Sequence, residues 1–202
     1  MPDQVKILSR QRLCDGYNAF DEIRLKYERY AGGLSRPISR ELLVRGVAVS
    51  VIPYDPVTDG LILIEQFRIG AFGAERHPWL TEVVTGRAEP DEELHDVATR
   101  ETFEETGHAV KRLEFLFSYL INPACSTETM HMFAAHVDAS QAGGFHGLDH
   151  EDEDIRVFHV TAAEAIGWLL ENKVSNANLM IALQALALRR KDFRTRWLAG
   201  AD

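Results

Sequence analysis

The chain has 202 residues, of which 46% are hydrophobic and 26% charged, a composition typical of one globular protein with an ordinary core. Its net charge of −9 argues against general nucleic-acid binding by electrostatic attraction. No apolar run is long enough to span a bilayer, no signal-peptide pattern is seen, and the two cysteines form no CxxC pair. We therefore expect a cytoplasmic protein without membrane or nucleic-acid partners.

Strands are predicted where β-branched and apolar residues run between turn signals. Two strands joined by the turn AGGLSRP are expected within residues 20–45, and five more are expected at 47–53, 61–67, 113–120, 130–137 and 155–160. Helices are predicted at 90–106, 161–171 and 176–192, the second with Thr161 as its N-cap. These elements do not alternate regularly, so the sequence predicts an α+β fold with a mixed sheet and helices against its faces.

The charge is unevenly distributed along the chain. Residues 1–46 carry nine Lys or Arg and six Asp or Glu, whereas residues 47–202 carry 13 and 25. Chance surface variation accounts for this asymmetry about as well as function does. The functional interpretation is that arginines from one part and metal-held acids from the other converge on a phosphate ligand. We treat 1–46 as an N-terminal β segment and 47–202 as the main domain.

The helix predicted at 90–106 has acidic residues on its apolar face. Pro90 suits the first turn, and Gly107 suits the left-handed position after the last turn. At about 100° per residue, one stripe contains three apolar residues and then three acidic ones, namely Leu94, Val97, Ala98, Glu101, Glu104 and Glu105. The glutamates therefore occupy the side of the helix that should point inward.

A solvated acidic face is the ordinary explanation for a glutamate-rich helix, but two costs oppose it here. Negative charge in the last turn opposes the helix dipole by about 0.3–1 kcal/mol per group, and like charges three or four residues apart add roughly 0.2–0.5 kcal/mol per pair. A divalent cation among the carboxylates would reverse both costs. Oxygen ligands without histidine or cysteine favour Mg²⁺ or Mn²⁺, and Arg100 is placed to orient a carboxylate.

This stretch resembles the Nudix box. The pattern is Gly86, five residues, Glu92, seven residues and then RETFEETG from Arg100 to Gly107, against the family's G-x5-E-x7-R-E-U-x-E-E-x-G-U, in which U is bulky and aliphatic. Thr102 and His108 stand where U is expected, and both are packing positions. The resemblance implies the Nudix α/β/α sandwich and a Mg²⁺-dependent hydrolase of a nucleoside diphosphate linked to another group.

The similarity extends along nearly the whole chain. The segments IEQFRIGAF, PWLTEVVTG and GFHGLDHEDEDIRV resemble the bacterial ADP-ribose pyrophosphatases within that family. This resemblance implies hydrolysis of ADP-ribose to AMP and ribose 5-phosphate, and a homodimer in which N-terminal strands of one subunit help build the other's site.

The resemblance also implies the metal ligands and the base. Carried over by position, Glu101 and Glu105 bind Mg²⁺ with the carbonyl of Thr85, and Glu104 binds or orients the metals. The acidic loop 150–154 would be an ordinary mobile loop if it stood alone. Beside a Nudix box, Glu151 takes the position of the general base and Glu153 adds a metal contact, while Asp152 and Asp154 are weaker alternatives.

Candidates for substrate binding lie outside the box. Arg68, at a strand end, suits a bidentate phosphate clamp, although an ordinary solvated arginine is the alternative. The remaining candidates are Arg40 and Arg45 as further phosphate contacts, Tyr17 and Phe20 as stacking partners for adenine, and Glu128 by its position in the family.

Three alternatives to ADP-ribose hydrolysis stay open. The first is a Nudix hydrolase of another nucleotide sugar or a dinucleotide, since the box specifies the metal and the diphosphate but not the flanking groups. The second is a sensor that binds ADP-ribose without cleaving it, although such domains usually lose box glutamates. The third is an acidic Ca²⁺-binding surface, which lacks EF-hand spacing here.

Overall fold

The computed structural model describes residues 1–199, and no helix in that range is long and apolar enough to cross a membrane. The strands are β1 Val5–Asp15, β2 Ala19–Tyr27, β3 Ile38–Val44, β4 Val47–Asp55, β5 Gly60–Phe67, β6 Trp79–Glu82, β7 Val84–Arg87, β8 Arg112–Leu120, β9 Thr129–His136, β10 Gly144–His146 and β11 Ile155–Thr161. The helices are α1 Ile69–Gly73, α2 Leu94–Thr106, α3 Ala162–Gly167 and α4 Ala177–Leu198, with a short 3-10 turn at Asp149–Glu151.

The chain forms two compact units. The first contains Met1–Val47 and Tyr119–Met130, and the second contains Ala48–Ser118 and the residues from His131 onward. In the first unit, β1, β2 and β3 form an antiparallel three-stranded sheet in which β1 is exposed along its whole length. Asp21 is buried in this sheet and accepts hydrogen bonds from Arg10 and Arg12 of β1, so a charge that is costly to bury is paired.

The other sheet has eight strands in the order β10-β11-β5-β4-β9-β8, with β6 paired to β5 and β7 paired to β4. Alternate residues of β4 face opposite sides, as the period of a strand requires. Val49 and Val51 join a cluster with Val97 and Ala98 of α2, whereas Tyr54 contacts Trp197 of α4. Helices therefore cover both faces of the sheet, and the predicted α+β class with a mixed sheet is confirmed.

Most predicted elements are present, but the bounds of all three predicted helices differ from the structure and the first strand was not predicted. The acidic helix begins at Leu94 rather than Pro90, because residues 89–92 form a turn in which the amide of Glu89 donates to the Glu92 side chain (2.9 Å). The helix predicted at 161–171 ends at Gly167, and the last helix continues to Leu198. Strand β1 was not predicted, since both of its faces are exposed and its sequence lacks a clear alternation.

Two helix boundaries were predicted correctly. Thr161 is the N-cap of α3, and its hydroxyl accepts from the amide of Glu164 at 3.2 Å. Gly107 follows α2 in the left-handed conformation, with φ of 73°. The predicted division at residue 46 falls at the edge of the first unit, which also takes in residues 119–130.

Candidate active site

Helix α2 carries its glutamates inward, as the periodicity predicts. Val97 and Ala98 are fully buried, and Glu105 is only 2% exposed. Glu101 and Glu104 are partly buried beside it. The Thr102 hydroxyl is satisfied by donating to the carbonyl of Ala98 (2.7 Å), which is why a polar residue is tolerated at a packing position of the box.

Strand β7 brings its backbone against these carboxylates. The Thr85 amide donates to Glu105 Oε2 at 3.2 Å. Gly86 is buried next to it, and a Cβ atom built there would overlap Cγ and Cδ of Glu101. The first glycine of the box is therefore required by the close approach of Glu101 to the strand.

Arg100 interacts with three carboxylates at the edge of the site. Its Nη1 donates to Glu101 Oε1 and Glu104 Oε2, both at 2.9 Å, and its Nη2 lies 3.5 Å from Glu92 Oε1. One guanidinium thus links three of the acidic positions of the box. The orienting role predicted for Arg100 is consistent with this geometry.

The electrostatics of the inward carboxylates favour a cation. Burial raises the pKa of Glu101 to about 7, and the charges of Glu104 and Glu153 add to the shift while Arg100 opposes it. Burial and the charge of Glu101 hold the pKa of Glu105 well above its ordinary value. These buried carboxylates destabilise one another's ionised form, and a bound cation would stabilise it.

The loop after β10 reaches the end of α2. A Cβ atom on Gly107 would lie 2.6 Å from the ring of His146, and the Gly147 amide donates to the Glu104 carbonyl (3.4 Å). Within this loop, Glu153 Oε2 accepts from the Leu148 amide (3.3 Å). Burial, followed by the charge of nearby Glu151, raises the pKa of Glu153, and Glu104 contributes to the same shift.

The two loop glutamates differ in their surroundings. Glu153 is half-buried and interacts electrostatically with Glu101, Glu104 and Glu105. The Glu151 side chain is 56% exposed and lies 3.7 Å from the imidazole of His150. The structure therefore brings Glu153 toward the box and leaves Glu151 at the surface, and neither predicted role is tested by this placement.

Arg68 lies beside the same carboxylates, held by a residue that the sequence analysis missed. Its Nε and Nη2 donate to Glu82 Oε2 at 3.0 and 2.6 Å, and its Nη2 also donates to Thr85 Oγ1 (3.3 Å). Burial lowers the pKa of Arg68, but the hydrogen bonds and charge of Glu82 outweigh it, so the pKa lies above its ordinary value. In the sequence, Glu82 stands next to two valines in TEVV, and a charged residue at a position expected to be buried needs a partner.

Several other predicted substrate contacts come together in the first unit. Arg45 donates to Glu128 through Nε (3.1 Å) and lies over the ring of Tyr17 at 5.8 Å. It also donates to Asn18, which the sequence analysis missed. Arg40 is exposed and donates only to the Ser39 carbonyl (2.8 Å) among residues 1–199, so it does not join this cluster.

Phe20 lies on β2, in the same sheet as β1 and β3. It pairs with Cys14 of β1 and Leu43 of β3 in the strand register. Its predicted stacking on adenine stays a prediction, as do the roles of the other substrate-binding candidates.

The fold and the acidic helix define the class of this protein: it belongs to the Nudix family, whose NUDIX domain matches residues 44–183. The chain is 40% identical over 195 residues to the ADP-ribose pyrophosphatase of Escherichia coli K12, covering 96% of this chain and 93% of that protein. It is 42% identical over 196 residues to the ADP-ribose pyrophosphatase of Haemophilus influenzae, covering 96% and 90%. The predicted resemblance and the predicted enzyme class, a Nudix pyrophosphatase, are confirmed.

More distant relatives also match over nearly the whole chain. The GDP-mannose pyrophosphatase of Pectobacterium atrosepticum is 30% identical over 193 residues, covering 94% of this chain and 97% of that protein. A crystal structure of an ADP compounds hydrolase superposes with a TM-score of 0.71 at 21% identity, covering 96% of both chains. This likeness confirms the predicted Nudix fold.

Proposed function

We propose that this protein hydrolyses the diphosphate of ADP-ribose to AMP and ribose 5-phosphate. The observation that carries the proposal is the set of inward carboxylates on α2, complete with Arg100, Glu101, Glu104 and Glu105. The choice of ADP-ribose is supported by 40–42% identity over 96% of the chain to proteins named for that activity. An intact box also argues against a non-catalytic sensor.

The donor set fits a hard divalent cation, with Mg²⁺ proposed and Mn²⁺ as a substitute. Glu101 and Glu105 would hold it with the carbonyl of Thr85, and Glu104 and Glu153 would bind or orient it. Within residues 1–199 no three acidic, histidine or cysteine side chains are already gathered as a complete metal site. A bound Mg²⁺ would neutralise diphosphate oxygens and lower the pKa of an attacking water.

The remaining chemistry falls to the side chains around α2. Arg100 orients Glu101 and Glu104 by hydrogen bonds to both. Arg68 clamps a phosphate oxygen, since a guanidinium offers several donors in one plane. Glu151 is proposed as the general base that accepts the proton of water, after loop movement brings it inward. The half-buried Glu153 is its rival for that role.

The first unit is proposed to complete substrate binding in a homodimer. Arg45 contacts both Glu128 and Tyr17, and these three would bind the nucleotide, with Arg40 and Phe20 as additional contacts. Dimerisation is supported by the exposed apolar residues of β1, Val5, Ile7, Leu8 and Leu13, because an uncovered edge strand is a liability in a free monomer. A cytoplasmic location forms part of the same proposal.

A second nucleotide sugar is the main competing substrate, since GDP-mannose pyrophosphatases match over nearly the whole chain at 30% identity. Purified protein should be assayed for product release from ADP-ribose, GDP-mannose and a dinucleotide, each with Mg²⁺ and with EDTA. The proposal expects the highest kcat/KM for ADP-ribose and no turnover in EDTA. A higher kcat/KM for GDP-mannose would refute the substrate assignment while keeping the enzyme class.

A further inference from the structure

Asn176, the first residue before α4, makes two hydrogen bonds with one side chain. Its Oδ1 accepts from the Leu179 amide at 3.0 Å, which caps the helix. Its Nδ2 donates to Glu82 Oε1 at 2.8 Å. Serine, threonine or aspartate would serve the cap, but none of them has the separate nitrogen donor with which an amide binds a carboxylate while its oxygen accepts from the helix.

Glu82 is thereby engaged through both oxygens. It is 2% exposed, and a buried carboxylate is stable only when it is paired and hydrogen-bonded. Asn176 takes Oε1, and Arg68 takes Oε2 through Nε and Nη2. Because the carboxylate cannot rotate without breaking one of these contacts, it fixes the plane of the Arg68 guanidinium.

The chain of contacts continues to the inward carboxylates. Arg68 Nη2 also donates to the hydroxyl of Thr85 (3.3 Å), whose amide donates to Glu105 (3.2 Å). Within residues 1–199 the Arg68 guanidinium donates its hydrogen bonds through Nε and Nη2, so Nη1 is the donor that remains for a ligand oxygen. A path of hydrogen bonds thus runs from the N-terminus of α4 to the last turn of α2.

We propose that Asn176 is a positioning residue, which fixes Arg68 through Glu82 so that Nη1 meets a phosphate of a nucleoside diphosphate. This inference rests on the proposed function, because it assumes a diphosphate in the site. It goes beyond helix capping, which requires only the Oδ1 contact.

Two variants separate the cap from the positioning contact. Asn176→Asp keeps an oxygen for the Leu179 amide, but it removes the donor to Glu82 and places a like charge there. Asn176→Ser keeps the cap and is too short to reach Glu82, so it serves if the aspartate variant does not fold. Thr161→Ala is the matched control, because it removes the cap of α3 (3.2 Å to the Glu164 amide), which lies on another helix and makes no hydrogen bond to Glu82.

The first readout is direct and needs no activity. The Arg68 Nε–H signal should be observed by ¹⁵N NMR, assigned by its loss in Arg68→Lys. We expect Asn176→Asp or Asn176→Ser to shift this signal and to speed its exchange with water, and Thr161→Ala to leave it unchanged. An Arg68 signal that is unaltered in both Asn176 variants overturns the proposal.

The second readout is the Kd for ADP with Mg²⁺, measured by calorimetry. Because Nη1 of Arg68 meets the phosphate only while Glu82 holds the guanidinium in place, both Asn176 variants should weaken ADP binding about tenfold or more. In an Arg68→Ala background the same change should alter the Kd less than about twofold, because residues that act as one unit are not additive. If the Asn176 variants weaken ADP binding as much in the Arg68→Ala background as in the wild type, positioning through Arg68 is contradicted.

These readouts are distinguishable from the failure of the proposed function. Protein that binds ADP with the expected coupling but releases no product refutes the hydrolysis and supports the positioning role. Protein that turns over ADP-ribose while Asn176 and Arg68 act additively supports the hydrolysis and refutes the positioning role.

Discussion

The side chain of Glu101 occupies the position that a Cβ atom on Gly86 would take. The buried strand β7 and the carboxyl end of α2 can approach closely only because position 86 has no side chain. Once there, Glu101 lies beside the strand residue Thr85, whose amide binds Glu105 (3.2 Å). The glycine at the first position of the box is thus required by the close approach of a glutamate at a later position.

Gly86→Ala should therefore displace the Glu101 carboxylate and lower turnover of ADP-ribose by about 100-fold, as misplacement of a reacting group by about 1 Å does. The free energy of unfolding should fall by only about 1–3 kcal/mol, because the overlapping atoms belong to a side chain that can rotate. Gly167→Ala is the control, since no atom beyond its chain neighbours and its own helix backbone lies within 4 Å of the added Cβ. Steady-state kinetics and urea unfolding measure both effects, and equal kinetics for the two variants would count against the steric account.

The metal-free protein should lose stability as the pH rises. The Glu101 carboxyl has an ordinary pKa of 4.5 and a pKa of about 7 in the folded protein, so between these values the folded state binds more protons than the unfolded state. This contribution is complete below about pH 4.5 and is lost as the pH rises through about 7. Glu105 and Glu153 are shifted in the same direction.

Urea unfolding in EDTA between pH 5 and pH 8 measures this slope. Glu101→Gln should flatten it by removing one of the titrating groups. Added Mg²⁺ should stabilise the protein more at pH 8 than at pH 5, because metal binding needs the deprotonated carboxylates. Unfolding free energies that rise with pH in EDTA would contradict the burial of these charges.

The loop glutamates should differ in their effect on the chemical step. Removing a general base costs about 10²–10⁴-fold in turnover, and we expect that loss for Glu151→Gln with little change in the Kd for ADP. Glu153→Gln should instead raise the Mg²⁺ concentration needed for half-maximal turnover, because it removes a metal contact. Turnover, metal titration and ADP binding distinguish the two. The reverse pattern would assign the base to Glu153, the half-buried member of the pair.

The exposed strand β1 should determine the oligomeric state. The chain has a mass of 22.8 kDa, so light scattering should report about twice that mass if the edge strand is covered by a second copy. Ile7→Lys in β1 should shift the mass toward that of the monomer, whereas Val57→Lys, at an exposed apolar position outside β1, should not. A monomeric wild-type protein would refute the proposed dimer.

The acidic helix could be predicted from the sequence because its evidence is local. The helical period of 3.6 residues places Glu101 and Glu105 on the same face as Val97 and Ala98. Gly107 marks the end of the helix. The start was wrong by four residues because Pro90 suits a turn as well as a first helical turn. The hydrogen bonds between Glu89 and Glu92 in the structure show that the turn forms.

The support around Arg68 could not be predicted in the same way. Glu82 and Asn176 are 94 residues apart, and no period or motif links them. The sequence indicates that Asn176 suits a helix N-cap and that Glu82 stands among apolar residues, but their partnership depends on how β6 and α4 pack. Likewise, Arg45 finds Glu128 only because residues 119–130 join the first unit.

The central claim is that the inward carboxylates of α2 hold a metal for diphosphate hydrolysis, and Glu105→Gln tests it most directly. The buried Glu105 favours its neutral form without metal, so glutamine should preserve or raise the Tm in EDTA. Asp96→Asn, on the exposed side of the same helix, is the control.

The decisive measurement is AMP release from ADP-ribose by wild-type and Glu105→Gln protein, with Mg²⁺ and with EDTA. We predict release by the wild type only with Mg²⁺, and a loss of about 100-fold or more in the folded variant. Equal AMP release by both proteins, or release that continues in EDTA, would contradict the account.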